Sequence, residues 1–222
     1  MNLNFLTLIW HTLIQQPLIT SLSFFSSYFG LGLGIIILTL IIKLLLLPLT
    51  LTSLRHSQQI ASLQDKINKL KKKYKNQPQK LAQAQAKLFK QHGVIPAAGC
   101  LPMLVQVVLF FALYQILLQQ VGQNGFQTGF LWLDLTKPDP LFILPLLAGI
   151  FQLGAVLLTP TPTSNNQTQQ MQKQMMIFMS VFTVFIASRF PSGIVLYWVV
   201  NSAASLVQQF IIKQKYNPNH KT

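Results

Sequence analysis

The chain has 222 residues, 51% hydrophobic and only 9% charged, a balance too apolar for the solvated surface of a water-soluble domain. Its formal charge of +14 raises nucleic acid as a partner, but the basic residues gather between Arg55 and Lys90 and at the C-terminus, which reads as membrane topology first. A single cysteine excludes an internal disulfide and a cysteine metal cluster, and says nothing of redox compartment. Several apolar runs approach the roughly 20 residues a helix needs to cross about 30 Å of hydrocarbon, and none alternates like a strand. The expected class is an all-α membrane protein with five transmembrane helices.

No Lys or Arg precedes Lys43, so residues 1–29 lack the basic start of a secretory signal and are taken as mature protein. Phe5, Leu8, Ile9, Leu13 and Ile14 alternate with Asn4, Thr7, His11, Thr12 and Gln15, and Pro17 interrupts the run. That pattern predicts an external, interfacial amphipathic segment. Residues 30–52 form the first span, with Lys43 at its middle. Residues 53–98 are polar, and the breaker Asn76-Gln77-Pro78 divides them into two arms. Ile60, Leu63, Ile67, Leu70 and Tyr74 make a coiled-coil stripe on one arm, and Leu81, Ala84 and Leu88 make another on the second. Each narrow stripe needs the other to cover it, so a cytoplasmic antiparallel helical hairpin is expected.

Four more spans follow, at residues 99–121, 141–159, 174–190 and 192–212. The positive-inside rule keeps the lysine-rich hairpin in the cytoplasm and so orients the rest. The loop 122–140 comes out external, and the linker 160–173 and tail 213–222 cytoplasmic. Arg189 falls at the external end of the fourth span, where snorkelling accommodates it. No internal repeat supports the paired halves common among secondary transporters.

A cation at mid-bilayer costs about 2.5–3.5 kcal/mol on insertion scales, which makes Lys43 the leading site residue. Thr39 and Thr50 share its helical face, Gln106 and Gln152 supply polar positions on the second and third spans, and Tyr197, Asn201, Ser205 and Gln208 occupy one arc of the fifth. Together they would line a hydrated cavity around Lys43. The alternative is a structural lysine, with the amides acting as interhelical glue. Met171, Met175, Met176 and Met179 offer flexible thioethers for contact with varied apolar clients, or serve as ordinary packing. Lys69, Lys71, Lys72, Lys73 and Lys75 form a recruitment surface for anionic lipid or ribosomal RNA, or simply a solvated face that fixes orientation.

Catalysis finds no constellation. Asp65, Asp134 and Asp139 are the carboxylates and all lie outside the spans. His11, His56, His92 and His220 have no metal-ligand spacing, and Cys100 has no nearby histidine base. The expectation is a non-enzyme with no catalytic residue, no metal and no cofactor.

The stretch ILTLIIKLLLLPLTL, the run KKKYKNQPQKLAQAQAKLFKQHGVIPAAGCLPMLVQVVLFFALYQ with its GCLP element, the loop FLWLDLTKPDP, LPLLAGIFQ, QMQKQMMIFM and FPSGIVLYWVVNSAASLVQQ occur in the order found in the YidC/Oxa/Alb insertases. From about residue 30 onward the chain resembles that family. The resemblance implies a five-helix core around a hydrophilic groove, open to the cytoplasm and to lipid and sealed externally. It implies nascent membrane proteins and the lipid bilayer as partners, with the ribosome and the Sec translocon as further candidates and no specific nucleic-acid sequence. The implied location is the bacterial plasma (inner) membrane, multi-pass, with the N-terminus external and the C-terminus cytoplasmic. The family usually has arginine where this chain has Lys43; lysine keeps the charge and loses the planar fork. The large external domain and the long basic tail of some members are not seen, which suits a compact version. Two other functions stay open on the residues alone, a small solute or ion transporter and a membrane-anchored ribosome adaptor.

Overall fold

A computed structural model describes residue 8 and residues 10–95, 101–120, 128–158 and 166–215. Gly99 and Cys100 of the GCLP element, Asn4, Phe5, Thr7 and Ile9 of the N-terminal pattern, residues 122–127 of the loop, 160–165 of the linker and 216–222 of the tail lie outside the described residues.

Glycine and proline set most helix limits. A π-helical turn at Trp10–Gln15 leads into α1 (Gln16–Phe29), which carries Pro17 in its first turn, where a missing N–H leaves no bond unmade. Gly30 ends α1 at φ 79°, a conformation that disfavours side chains with a Cβ, and its N–H donates to the Ser26 carbonyl at 2.9 Å. Helix α2 (Leu31–Leu45) follows. The apolar run continues to Leu51, but Pro48 has no N–H for the carbonyl of Leu44, and the helix breaks at Leu46. It restarts as α3 (Leu47–Ser62), with the Thr50 N–H on the Leu46 carbonyl at 2.9 Å. The segment expected as one span is thus two helices, the second running on into the first hairpin arm. The remaining helices are α4 (Gln64–Lys73), α5 (Pro78–Gln91), α6 (Leu101–Gln120), α7 (Ile143–Leu158), α8 (Asn166–Ala187) and α9 (Ser192–Lys215).

The chain divides into two compact units. The first comprises Met1–Leu45, Val107–Thr159 and Met176–Thr222. Helix α9 is its central element, with Ile194, Val195, Leu196, Tyr197 and Val199 buried, and its core takes Leu31, Ile35 and Leu38 from α2, Ala112, Leu113, Ile116 and Leu117 from α6, Leu144 and Ala148 from α7, and Leu18 and Leu22 from α1. Between helices in lipid, burying leucine against leucine gains little, so close backbone approach carries the packing. A Cβ on Gly149 of α7 would lie 2.3 Å from Val184 of α8, and one on Gly154 would lie 3.0 Å from Leu206 of α9. Phe110 of α6 adds edge-to-face contacts with Phe190 and Trp198, at 5.8 and 5.7 Å between ring centres.

A loop closes one end of this unit. Strands β1 (Gly129–Phe130) and β2 (Leu133–Asp134) pair antiparallel, and Phe130 sits so close over Gly32 of α2 that a Cβ there would fall 2.2 Å from its ring. Buried Asp139 caps α7: its carboxylate accepts the N–H groups of Leu141 at 3.0 Å and Leu144 at 2.7 Å, and the Trp132 indole N–H at 3.2 Å. At the start of α9 the Ser192 N–H donates to the Lys137 carbonyl at 2.7 Å and the Gly193 N–H to that of Leu135 at 3.0 Å, while the Ser192 hydroxyl donates to the Asp134 and Lys137 carbonyls.

The second unit, Leu46–Gln106 and Pro160–Met175, contains the hairpin. Leu63, at the entry to α4, and Ile67 pack with Val94, just past the end of α5, and Ile60, Leu88 and Phe89 flank them, so α4 and α5 run antiparallel. Lys66 and His92 meet at 3.0 Å across the same end, and the other ring nitrogen of His92 lies 2.9 Å from the Leu88 carbonyl.

Among the described residues, Leu101–Leu118 and Ser192–Ile211 are each long and apolar enough to cross a membrane, and Leu31–Leu45 with Leu47–Ile60 pass only together, as a broken span or a re-entrant loop; Ile143–Leu158 and Gln174–Ala187 are shorter apolar helices.

Candidate functional site

Helices α2 and α9 leave the closing loop side by side, Gly32 against Phe130 and Gly193 against Leu135. Lys43 lies eleven residues beyond Gly32 and Ser205 twelve beyond Gly193, so at 1.5 Å per residue both sit about 16–18 Å from the loop. That distance is about half the thickness of a hydrocarbon layer of about 30 Å. The equal depth brings the two residues together: the Lys43 ammonium donates to Ser205 Oγ at 2.7 Å, and the Ser205 hydroxyl donates its own proton to the Asn201 carbonyl at 2.8 Å. Lys43 is half-buried. Its partner is a neutral hydroxyl; the ion pair recorded among the described residues is Lys137 with Asp134, at 3.1 Å in the loop.

The other expected lining residues divide by unit. Within the first, Thr39 is 2% exposed and gives its proton to the Ile35 carbonyl at 2.6 Å, so it faces inward yet offers no free donor. Gln152 of α7 accepts from the Thr183 hydroxyl of α8 at 3.2 Å, and that hydroxyl also reaches the Met179 carbonyl at 2.9 Å. Tyr197 is buried, and Asn201 and Gln208 are half-buried on α9. Thr50 and Gln106 belong to the second unit. Thr50 bonds the Leu46 carbonyl at 3.0 Å and lies beyond the helix break, so its seven-residue spacing from Lys43 no longer fixes a shared face.

Met171, Met175 and Met179 are exposed on α8 and Met176 is half-buried. Lys69, Lys71, Lys72, Lys73 and Lys75 are all exposed, and the Lys73 ammonium lies 5.4 Å from the centre of the Tyr74 ring.

Several polar residues escaped the sequence reading. Gln115 of α6 accepts two hydrogen bonds at one oxygen, from the Trp10 indole at 3.0 Å and from the amide of buried Gln15 at 2.6 Å. A glutamine between Tyr114 and Ile116 in an apolar stretch of helix was the available signal, and its partners, about a hundred positions away, were not. Gln209 Oε1 is shut off from solvent and has no hydrogen-bond partner among the described residues. In the loop, the Thr136 hydroxyl and backbone N–H bond Asp134, with Lys137 beside it, and hold its carboxyl down at about 2. Among the described residues no three of His, Cys, Asp and Glu are grouped to hold a metal ion.

This arrangement can present a cation to a polar or acidic segment inside the bilayer. An ammonium has three donors, and Ser205 takes one.

Known proteins share the architecture. The chain is 36% identical over 212 residues to a membrane protein insertase YidC of Campylobacter jejuni, covering 95% of this chain and 39% of that protein. It is 42% identical over 209 residues to the membrane protein insertase YidC of Magnetococcus marinus, covering 93% and 36%. It therefore spans about two fifths of the length of the relatives it matches. A crystal structure of an active YidC insertase with its first transmembrane domain resolved superimposes with a TM-score of 0.67 at 27% identity, over 93% of this chain and 47% of that one. A family profile described as 60Kd inner membrane protein matches residues 22–220. With that profile spanning nearly the whole chain and the fold agreeing, the protein belongs to the 60Kd inner membrane protein family.

Proposed function

We propose that the protein is a membrane protein insertase, which takes the hydrophilic end of a client partway across the bilayer through a polar groove and releases the client's apolar helix into lipid. The observation that carries this reading is the Lys43–Ser205 pair, a cation held at mid-membrane depth by a neutral hydroxyl between two helices of an apolar core. A lysine that served only packing would be matched by a carboxylate or left to snorkel. Here the ammonium keeps donors for a passing carboxylate or carbonyl. The work comes from the client, whose apolar span gains about 25 cal/mol per Å² on leaving water. No covalent step and no nucleotide is needed.

In this reading five spans enclose the groove, with Thr39, Gln152, Tyr197, Asn201, Ser205 and Gln208 along its walls. The methionines of α8 face clients, and the hairpin lysines face the cytoplasm, where they meet anionic lipid or a ribosome. The closing loop is external and the C-terminus cytoplasmic. The sealed loop end and the under-bonded interior support a groove open from one side only.

The test is reconstitution of the purified protein into liposomes with a small single-span client bearing an acidic tail, scored by protease protection. Lys43→Glu should abolish protection and Lys43→Arg should retain it. Equal protection with Lys43→Glu discards the groove cation. Solute flux without client insertion would favour a transporter, and full loss on deletion of residues 60–90 with intact Lys43 would favour a ribosome adaptor.

A further inference from the structure

The polar row on α9 has one more member than the Lys43 contact uses. Gln209 lies four residues beyond Ser205 on the same stripe, about 6 Å further from the closing loop. Its Oε1 is enclosed and accepts no hydrogen bond among the described residues. Such an acceptor is rare, because buried polar groups are nearly always satisfied. Ser205 cannot serve it, since the serine proton is committed to the Asn201 carbonyl. One turn away in the row, Ser205 already bonds a cation, the Lys43 ammonium, carried on a stem with four rotatable bonds.

We propose that Gln209 is a positioning residue for Lys43: its enclosed Oε1 is a second acceptor for the ammonium, so that the cation is handed between Ser205 and Gln209 at two depths one helical turn apart. Hand-over needs only lysine rotamer changes and leaves both helices intact. Rotamer exchange is fast compared with movement of a polypeptide through a membrane. The charge can then follow a client's polar segment over a turn of helix, a consequence that rests on the insertase reading; the pairing itself does not. The rival donor by spacing is Lys213, four residues further along α9.

The test is a double-mutant cycle with Ser205→Ala and Gln209→Met, the latter of similar length but without the acceptor, in the full-length protein and again in a Lys43→Met background. Two readouts are taken, the melting temperature in detergent and the rate of insertion of the acidic-tailed client. Each single change should slow insertion about twofold and the pair about tenfold or more, with a drop in melting temperature larger than the sum of the single drops. In the Lys43→Met background that excess should vanish. Additive effects overturn the proposal, and so does an excess that persists without Lys43, which would assign the acceptor to Lys213. If the Ser205→Ala/Gln209→Met protein does not accumulate, Ser205→Ala/Gln209→Glu decides: the restored acceptor should return insertion and melting close to the Ser205→Ala values, and failure to do so overturns the idea. Should the unmodified protein insert no client, the melting cycle still judges the pairing, and only the insertase reading falls.

Discussion

The two halves of the α2–α9 pair differ in how they treat polar groups. At the loop end the Asp139 carboxylate accepts three hydrogen bonds, Ser192 bonds through both its hydroxyl and its N–H, and Phe130 closes over Gly32 without room for a Cβ. About three to four helical turns further from the loop, a lysine bonds one hydroxyl and a glutamine oxygen has no partner among the described residues. The first pattern specifies one rigid arrangement, because every group that moved would lose a partner. The second leaves donors and an acceptor in reserve, which is what the proposed groove would need to hold a transient guest. Satisfied polar groups are concentrated at one end, and spare donors and an acceptor lie in the middle.

Four substitutions break or sharpen this contrast. The largest effect is expected from Asp139→Ala, which removes a helix cap, leaves the buried Leu144 N–H unpaired and takes the partner of the exposed Trp132 indole; about 2–3 kcal/mol of stability should be lost, read by thermal unfolding in detergent. Gly32→Val comes next. The 2.2 Å approach of the Phe130 ring means that the loop must shift, costing about 1–3 kcal/mol and exposing the loop to protease at lower temperature. In the interior, Thr183→Val removes one donor shared between Gln152 and the Met179 carbonyl, and should cost only about 0.6 kcal/mol, the usual size of a hydrogen bond between membrane helices. A loss there as large as that of Asp139→Ala would erase the difference between the two halves. Smallest is Asp134→Asn. The native carboxyl is held down at about 2, so its stabilising effect is present above the ordinary carboxylate range near pH 4 and fades as pH falls toward 2; it is exposed, which keeps the effect small. The unmodified protein should show that acid-side loss in unfolding curves, and Asp134→Asn should flatten it.

The hairpin treats charge in a third way. Its lysines point to solvent and its stability rests on the short seam of Leu63, Ile67 and Val94. That seam was legible as a 3,4 spacing on one arm, since the stripe repeats within ten residues. The meeting of Val94 with Leu63 was not, because Val94 lies past the helix and outside any period.

Other features divide along the same line. Apolar length announced the helices of a membrane protein, and the lone lysine in the run IIKLLLL singled out the residue that bonds Ser205. The ordered motifs announced the family. The break at Leu46 was written in Pro48, yet the continuous apolar run masked it, since hydropathy records what a residue prefers and not which N–H a helix lacks. Glutamine 208 was chosen by helical phase, while its neighbour Gln209 holds the orphaned oxygen. A phase argument resolves a face and not an atom.

By itself, then, the order of residues determined class, family and the presence of a cation within an apolar helix, because length, hydropathy and charge act along the chain and are read from it directly. Only tertiary structure decided that the cation meets Ser205, that Asp139 ties a loop to a helix, and that Gln115 joins a segment a hundred residues away. Those pairings depend on equal depth and mutual approach between helices, quantities that exist only once the helices are placed beside one another.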